Sequence, residues 1–275
     1  MQLQGLHKTA SAFKATNLYP TWFIGHGNPT NVLMDNAFTK NLARMGKSLK
    51  ERPNAILVIS AHWLTRNGTF VAVTNKPETI YDFYGFPDAM YKIQYPAPGS
   101  PEYANEVKRA ITFTEVQEDH EWGLDHGAWT VLKHSFPDAD IPVFQMSIDY
   151  SKPASYHYKL ASELQSLRNK GVLIIGSGNI VHNLRQADFH NIEANPYDWA
   201  KEFDEISKNK ILSREFIDLV EYEKLGQSAL LAIPTPDHYL PMIYSLGLVS
   251  QKDDIRFTFE EIQNASVSMR CFEIG

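Results

Sequence analysis

The chain has 275 residues, 43% hydrophobic, 21% charged and 12% aromatic, which excludes a disordered chain and suffices for a sizeable buried core. Its formal charge of −6, from 26 Lys+Arg against 32 Asp+Glu, argues against nucleic acid or an anionic membrane as partner, since both call for a basic face. A single cysteine, Cys271, permits no internal disulfide and points to a reducing compartment, so a cytoplasmic location is expected. No apolar run approaches the roughly 20 residues of a membrane span. Residues 1–19 lack the apolar middle of a secretory signal and read as a loose N-terminal segment, leaving 20–275 as one domain.

In chain order, TWFIGH (21–26) is a short apolar strand ending in Gly-His-Gly, followed by a helical stretch near 35–50. AILVISAH (55–62) is a stronger buried strand, and TFVAVT (69–74) reads as another. The segment from 75 to 101, dense in Pro, Gly and aromatics, is the one long irregular stretch, and loops of that length are usually functional. PVFQMSI (142–148) and VLIIGSG (172–178) are further strands, separated by a helix at about 153–170 that opens after Lys152-Pro153. Helical patterns follow at 196–211 and 214–225, and a third, HYLPMIYSLGLV, is interrupted at Pro241. RFTFEEI and SVSMRCFEI alternate as half-buried antiparallel strands do. Strands separated by helix-length segments predict a single α/β domain, with a largely parallel central sheet flanked by helices and extra antiparallel strands at the C-terminus.

Ligands of such sheets bind beyond the carboxyl ends of the strands. Three apolar strands deliver a histidine there: TWFIG leads to His26, AILVISA to His62, and VLIIGSGNIV to His182. His238 follows the turn Pro234-Thr235-Pro236-Asp237 at a helix start, and His126 lies in GLDHGAW, beside glycines that allow close backbone approach. One histidine at a strand end is ordinarily a hydrogen-bonded structural residue, but several at equivalent ends suggest a metal, for which imidazole is the commonest ligand. His7, His120, His134, His157 and His190 lack this placement and read as surface or structural. The chain has no HExxH, no finger spacing, no GxSxG and no P-loop, and Gly176-Ser177-Gly178 lacks the third glycine of a dinucleotide fingerprint, Val181 standing in its place.

Together GHGNPTNVL, VISAHW, YDFYGFP, YPAPGSPE, WGLDHGAW, SGNIVHNL and PTPDHYLP resemble the DODA-type extradiol aromatic ring-opening dioxygenases, relatives of the class III catechol ring-cleaving enzymes. The likeness runs from about residue 20 to the C-terminus, motifs in order. It implies a non-haem metal held by His26, His62 and His238, with His182 beside it as acid/base, or as a fourth ligand when zinc occupies the site, and His126 facing the substrate. One position departs from the wider class III pattern: the glutamate that usually completes the triad is matched here by His238, and the adjacent Asp237 is not expected to point inward. The implied activity is extradiol opening of a small catechol such as L-DOPA (4,5-cleavage) with O₂. Fe(II) is the implied working metal, and Zn(II) is expected in purified protein because an all-histidine triad favours it as readily.

Proton transfer in that chemistry suits imidazole near neutral pH and is assigned chiefly to His182, with His126 aiding the orientation of O₂ and of the intermediate. Tyr81, Phe83 and Phe86 of the aromatic loop are candidates to flank the substrate, Asp125 to orient His126 or cap a turn, and Trp63 and Trp129 to pack. Two alternatives stand beside this reading: a zinc-dependent hydrolase on the same scaffold, although no strand-end motif supplies a carboxylate base, and a zinc-holding binding protein without turnover.

Overall fold

The computed structural model describes residues 18–275. Most of the segment expected to be loose therefore lies outside the described residues, and Tyr19 at its end is buried, its amide donating to the Arg168 carbonyl. The central sheet has six strands: β1 (Thr21–Gly25), β2 (Ala55–Ser60), β3 (Val143–Gln145), β4 (Val172–Gly178), β5 (Ile255–Phe259) and β6 (Cys271–Ile274). They lie in the order β3-β2-β4-β1-β6-β5, parallel from β3 to β1, with β6 antiparallel to β1 and β5 antiparallel to β6. Every residue of β1, β2 and β4 is buried, which is why these strands read as unbroken apolar runs: both faces are covered.

Alternate side chains go to opposite faces. Trp22, Ile24, Ile56, Val58, Leu173 and Ile175 pack against Phe38 and Leu42 of the Ala37–Ser48 helix and Trp129 and Leu132 of the His126–Ser135 helix. On the other face Leu57, Ile59 and Ile174 meet Leu160 of the Ala154–Glu163 helix and Leu240 and Tyr244 of the Leu240–Gly247 helix. Phe23 and Phe272 meet Phe203 of the Asp198–Leu212 helix. The single α/β domain with a largely parallel sheet and antiparallel C-terminal strands is thus as the sequence predicts.

Three elements differ. Pro241 does not interrupt its helix: it occupies the first turn of Leu240–Gly247, where no backbone amide is needed. The run 142–148 splits into β3 and the short strand Ile148–Asp149, which pairs instead with Leu64–Thr65. Thr69–Ala72 stays out of the central sheet and pairs with Val116–Asp119. The stretch 75–101 is irregular apart from a 3-10 turn at Met90–Lys92 and an isolated bridge from Thr79 to Leu124. It is pinned to the domain where Trp129 Nε1 donates to the Ile80 carbonyl at 2.9 Å and the Tyr95 hydroxyl to that of Phe136 at 2.9 Å. Among the described residues no helix is long and apolar enough to cross a membrane.

Candidate active site

The parallel register sets Gly25 opposite Gly178 and Ser60 opposite Ser177, so β1, β2 and β4 stop at one level. His26 follows β1 directly and its amide donates to the Gly178 carbonyl at 3.0 Å. His62 and His182 leave the same edge from β2 and β4. His238 joins them from the turn before the Leu240–Gly247 helix, where its carbonyl accepts from the Asn179 amide at 2.8 Å. This approach requires glycine at 178, because a Cβ there would overlap the His238 carbonyl. His126 opens the His126–Ser135 helix, whose N-cap is Asp125.

The hydrogen bonds around these rings orient each of them. Ser177 Oγ donates to the Gly127 carbonyl at 2.6 Å, so toward His26 Nδ1, 3.0 Å away, it can only accept. His26 therefore carries its proton on Nδ1 and presents a bare Nε2. Asp237 Oδ2 lies 2.6 Å from His238 Nδ1, and Asp82 Oδ2 lies 2.9 Å from His126 Nδ1 and 3.5 Å from His62 Nδ1. Each of these carboxylates accepts an Nδ1–H and leaves Nε2 as a lone-pair donor, the arrangement found behind metal-bound histidines. His26 Nε2 and His62 Nε2 are 3.2 Å apart. Nitrogens bound to one ion at about 2.0–2.1 Å stand about 3.0–3.4 Å apart, so the pair is spaced for a shared cation.

Burial and then the neighbouring imidazoles hold His26 and His62 well below the ordinary histidine range. His182 is depressed by burial and by His238. Neutral rings are what a metal requires. Burial pushes the Asp237 carboxyl up, but the hydrogen bond and electrostatic attraction from His238 more than offset it and leave it well below the usual range. Asp237 thus turns toward the outer nitrogen of His238. Asp125 does not orient His126: its carboxylate takes hydrogen bonds from Ser60 Oγ at 2.7 Å, Gln145 Nε2 at 2.8 Å and the Ala128 amide at 3.1 Å. Burial, then the charge of Asp82, pushes it up to about 6. The residue that orients His126 is Asp82, whose Oδ1 also accepts the His126 amide at 2.9 Å. Sequence reasoning passed over it; the available signal was an acid set among the aromatics of YDFYGFP.

The five histidines line one cavity of about 190 Å³ with Phe83 and Phe86. Tyr81, expected beside them, is not on its wall: the hydroxyl donates to the Ile93 carbonyl at 2.7 Å and the ring packs on Trp129. Trp63 and Trp129 are buried packing residues. The ligand atoms fall into two groups with metal-binding spacing, His26, His62 and His126 in one and His182, Asp237 and His238 in the other. The expected triad is thus divided between them, with the His238 ring 5.3 Å from that of His26 and 4.9 Å from that of His62. His182 lies face to face with His238, centroids 3.5 Å apart and planes within 9°.

Residues 21–271 match the family described as the catalytic LigB subunit of aromatic ring-opening dioxygenase. The chain is 44% identical over 260 residues to an Escherichia coli K12 protein named 4,5-DOPA dioxygenase extradiol, covering 93% of this chain and 94% of that one. A Beta vulgaris protein of the same name is 37% identical over 240 residues, covering 86% and 88% of the two chains. A solved structure of an uncharacterized Escherichia coli K12 protein superposes with a TM-score of 0.81 at 41% identity, covering 94% of this chain and all of that one.

Proposed function

The chain belongs to the family of the catalytic LigB subunit of aromatic ring-opening dioxygenases, and from that premise we propose which of its residues do the work and on which ring. It is a metal-dependent extradiol ring-cleavage dioxygenase acting on an aromatic substrate and O₂. The relatives named for 4,5-DOPA support a small catechol such as L-DOPA as the substrate. The reading rests above all on one observation: imidazoles backed at Nδ1 by a serine or a carboxylate turn their Nε2 edges into a single cavity at the carboxyl end of the sheet. The single cysteine, buried as a free thiol, supports a reducing compartment and hence the cytoplasm.

His26, His62 and His238 would hold the metal. When bound, Fe(II) supplies the redox coupling between catechol and O₂ that Zn(II), with one stable oxidation state, lacks. His182 serves as acid/base rather than as a fourth ligand. Two parallel imidazoles 3.5 Å apart direct their in-plane lone pairs along separate planes, so one ion cannot lie in both. His182 Nε2 or Nδ1, held neutral by burial, takes a catechol proton and later returns one to oxygen. His126, fixed by Asp82, orients the reacting groups, and Phe83, 5.6 Å edge-on from the His126 ring, flanks the aromatic substrate with Phe86. The zinc-hydrolase alternative lacks a free carboxylate as base, since Asp82 and Asp237 are both engaged with Nδ1 protons.

The test is oxygen consumption by apo-protein reloaded anaerobically with Fe(II) and given L-DOPA and a panel of catechols, beside a zinc-loaded control. Uptake with a yellow semialdehyde product, only with iron, is expected. No uptake from protein shown to hold iron would overturn the reading. Metal content separates the ligands: His238→Ala should lose the metal and His126→Ala retain it, and the reverse would move His126 into the triad.

A further inference from the structure

Two side chains of the segment 184–192, Leu184 and Phe189, line the catalytic cavity yet remain 47% and 60% exposed. Side chains that form cavity wall and still face solvent stand at the mouth. Phe83 and Phe86 differ, since their rings pack on each other, centroids 5.1 Å apart, and against the core.

Phe189 is held in place by one residue of the hairpin that returns Ile262–Gln263 against Val267–Ser268. Asn264, at the tip, is buried with a φ of +50°, a left-handed conformation that asparagine tolerates better than most residues. Its amide donates to the Ile192 carbonyl at 2.9 Å, and its carbonyl accepts from the Asp188 amide at 3.0 Å. Its side-chain Nδ2 donates to the Asp188 carbonyl at 2.8 Å. Both ends of the turn 188–192, which carries Phe189, are therefore clamped by Asn264. The next two residues extend the seam: the Ala265 carbonyl accepts the Tyr197 amide at 3.1 Å, and Ser266 Oγ donates to the Asn183 carbonyl at 2.9 Å. Asn264 also lines the same cavity as Phe189. Covering an exposed aromatic face is favourable, and a ring on an already fixed backbone loses little further freedom when it is covered.

We propose that Phe189 packs against the ring of the bound substrate and that Asn264 is the positioning residue that sets it there. The proposal rests on the ring-cleavage reading for the identity of the substrate, whereas the clamp is a property of this chain's own geometry.

Titration calorimetry of L-DOPA with the redox-inert zinc-loaded protein reads the contact without turnover, and KM and kcat of the iron-loaded enzyme read it with turnover. Phe189→Ala should weaken binding and raise KM about three- to tenfold, the usual effect of losing an aromatic contact, with kcat within about twofold of the parent. Asn264→Asp keeps the size and the left-handed backbone but sets a carboxylate oxygen against the Asp188 carbonyl, and should weaken binding by a similar factor. Asn264→Gly keeps the backbone bonds, loses only the Nδ2 bond and takes its place in the cycle if the charged variant does not fold. The double variant decides: if Asn264 acts through Phe189, combining the two changes binds L-DOPA no more weakly than Phe189→Ala alone, whereas independent losses multiply. A merely structural Asn264 would lower the melting temperature of its variants and leave that coupling at zero. Phe189→Ala binding as tightly as the parent, or losses that multiply, overturns the proposal. The expected binding pattern with no oxygen uptake from the iron-loaded parent would instead sink the dioxygenase reading and leave the clamp standing.

Discussion

Asp82→Asn is the most discriminating single change. In the parent protein Asp82 Oδ2 accepts from His126 Nδ1 at 2.9 Å and stands 3.5 Å from His62 Nδ1, while Oδ1 accepts the His126 amide at 2.9 Å. Asparagine keeps one acceptor oxygen. If that oxygen stays on the amide, the NH₂ group faces Nδ1, and His126 must move its proton to Nε2 to avoid donor against donor. The cavity edge of His126 then changes from acceptor to donor. A hydrogen bond to a charged group contributes about 1.5–3 kcal/mol, or about 10–150-fold, and loss of a carboxylate behind an active histidine typically costs about 10–100-fold. The Asp82 side chain is only 20% exposed, so solvent screens little of this. We expect kcat/KM with a catechol to fall about 10–100-fold, measured with an oxygen electrode on protein whose iron content is determined in parallel. The melting temperature should hardly change, because Asp82 lies on an irregular segment outside the packed helices and strands. A fully metallated Asp82→Asn protein with kcat/KM within about twofold of the parent, well short of that loss, would refute the reasoning.

His182→Ala should lower kcat by about 10²–10⁴-fold, the usual contribution of a positioned acid/base, while metal content by mass spectrometry stays at the parent level; loss of metal would make His182 a ligand. Arg168→Met should destabilise the fold by about 3–5 kcal/mol, the cost of stranding a buried charge, since Arg168 holds buried Asp253 through two bonds of 2.8 Å and also binds the Tyr19 and Leu248 carbonyls. At about 2–4 °C per kcal/mol that is a melting shift near 10 °C, readable by calorimetry. Burial lowers His157 to about 4 from its ordinary 6.5, so the folded chain stays neutral where the unfolded chain takes a proton. Its contribution to stability is full above pH 6.5 and is lost as pH falls toward 4, reaching about 3 kcal/mol. Urea unfolding of His157→Gln across that range should show a flatter acid limb than the parent, and parallel limbs would count against the depressed histidine.

What the sequence made legible was what depends on strand ends. Parallel strands that pack in register finish on one edge, so His26, His62 and His182 could be gathered from apolar runs alone, without knowing the order β3-β2-β4-β1. The Pro241 expectation failed because a proline reads as a breaker unless the helix start is known, and the start lay four residues beyond the Pro236 turn. Asp82 was illegible for a different reason. It sits in a segment with no periodicity, and its pairing with His126, 44 positions away, exists only after the whole loop has closed over the sheet. The same closure divides the aromatics: Phe83 and Phe86 face the cavity while Tyr81 turns to the Ile93 carbonyl. Alternation along a loop cannot forecast which side chain faces inward. Asp125 did carry a usable signal, an N-cap residue just before the apolar HGAWTVL run, and the His126–Ser135 helix follows from it.

The position where a glutamate ligand is expected in the wider group holds His238, and here the turn residue beside it matters. A carboxylate bound directly to a metal would bring its negative charge to the ion. His238 brings none, yet Asp237 sets its carboxylate 2.6 Å from the outer nitrogen of the same ring. The negative charge is thereby moved one imidazole outward, where it raises the basicity of Nε2 without occupying a coordination position. Asp82 does the same behind His126 and, at longer range, His62. Among the described residues the result is a cavity whose wall is uncharged but whose imidazoles are electron-rich. That combination suits a site that must bind a metal through neutral donors while still accepting a ring whose own oxygens carry the negative charge.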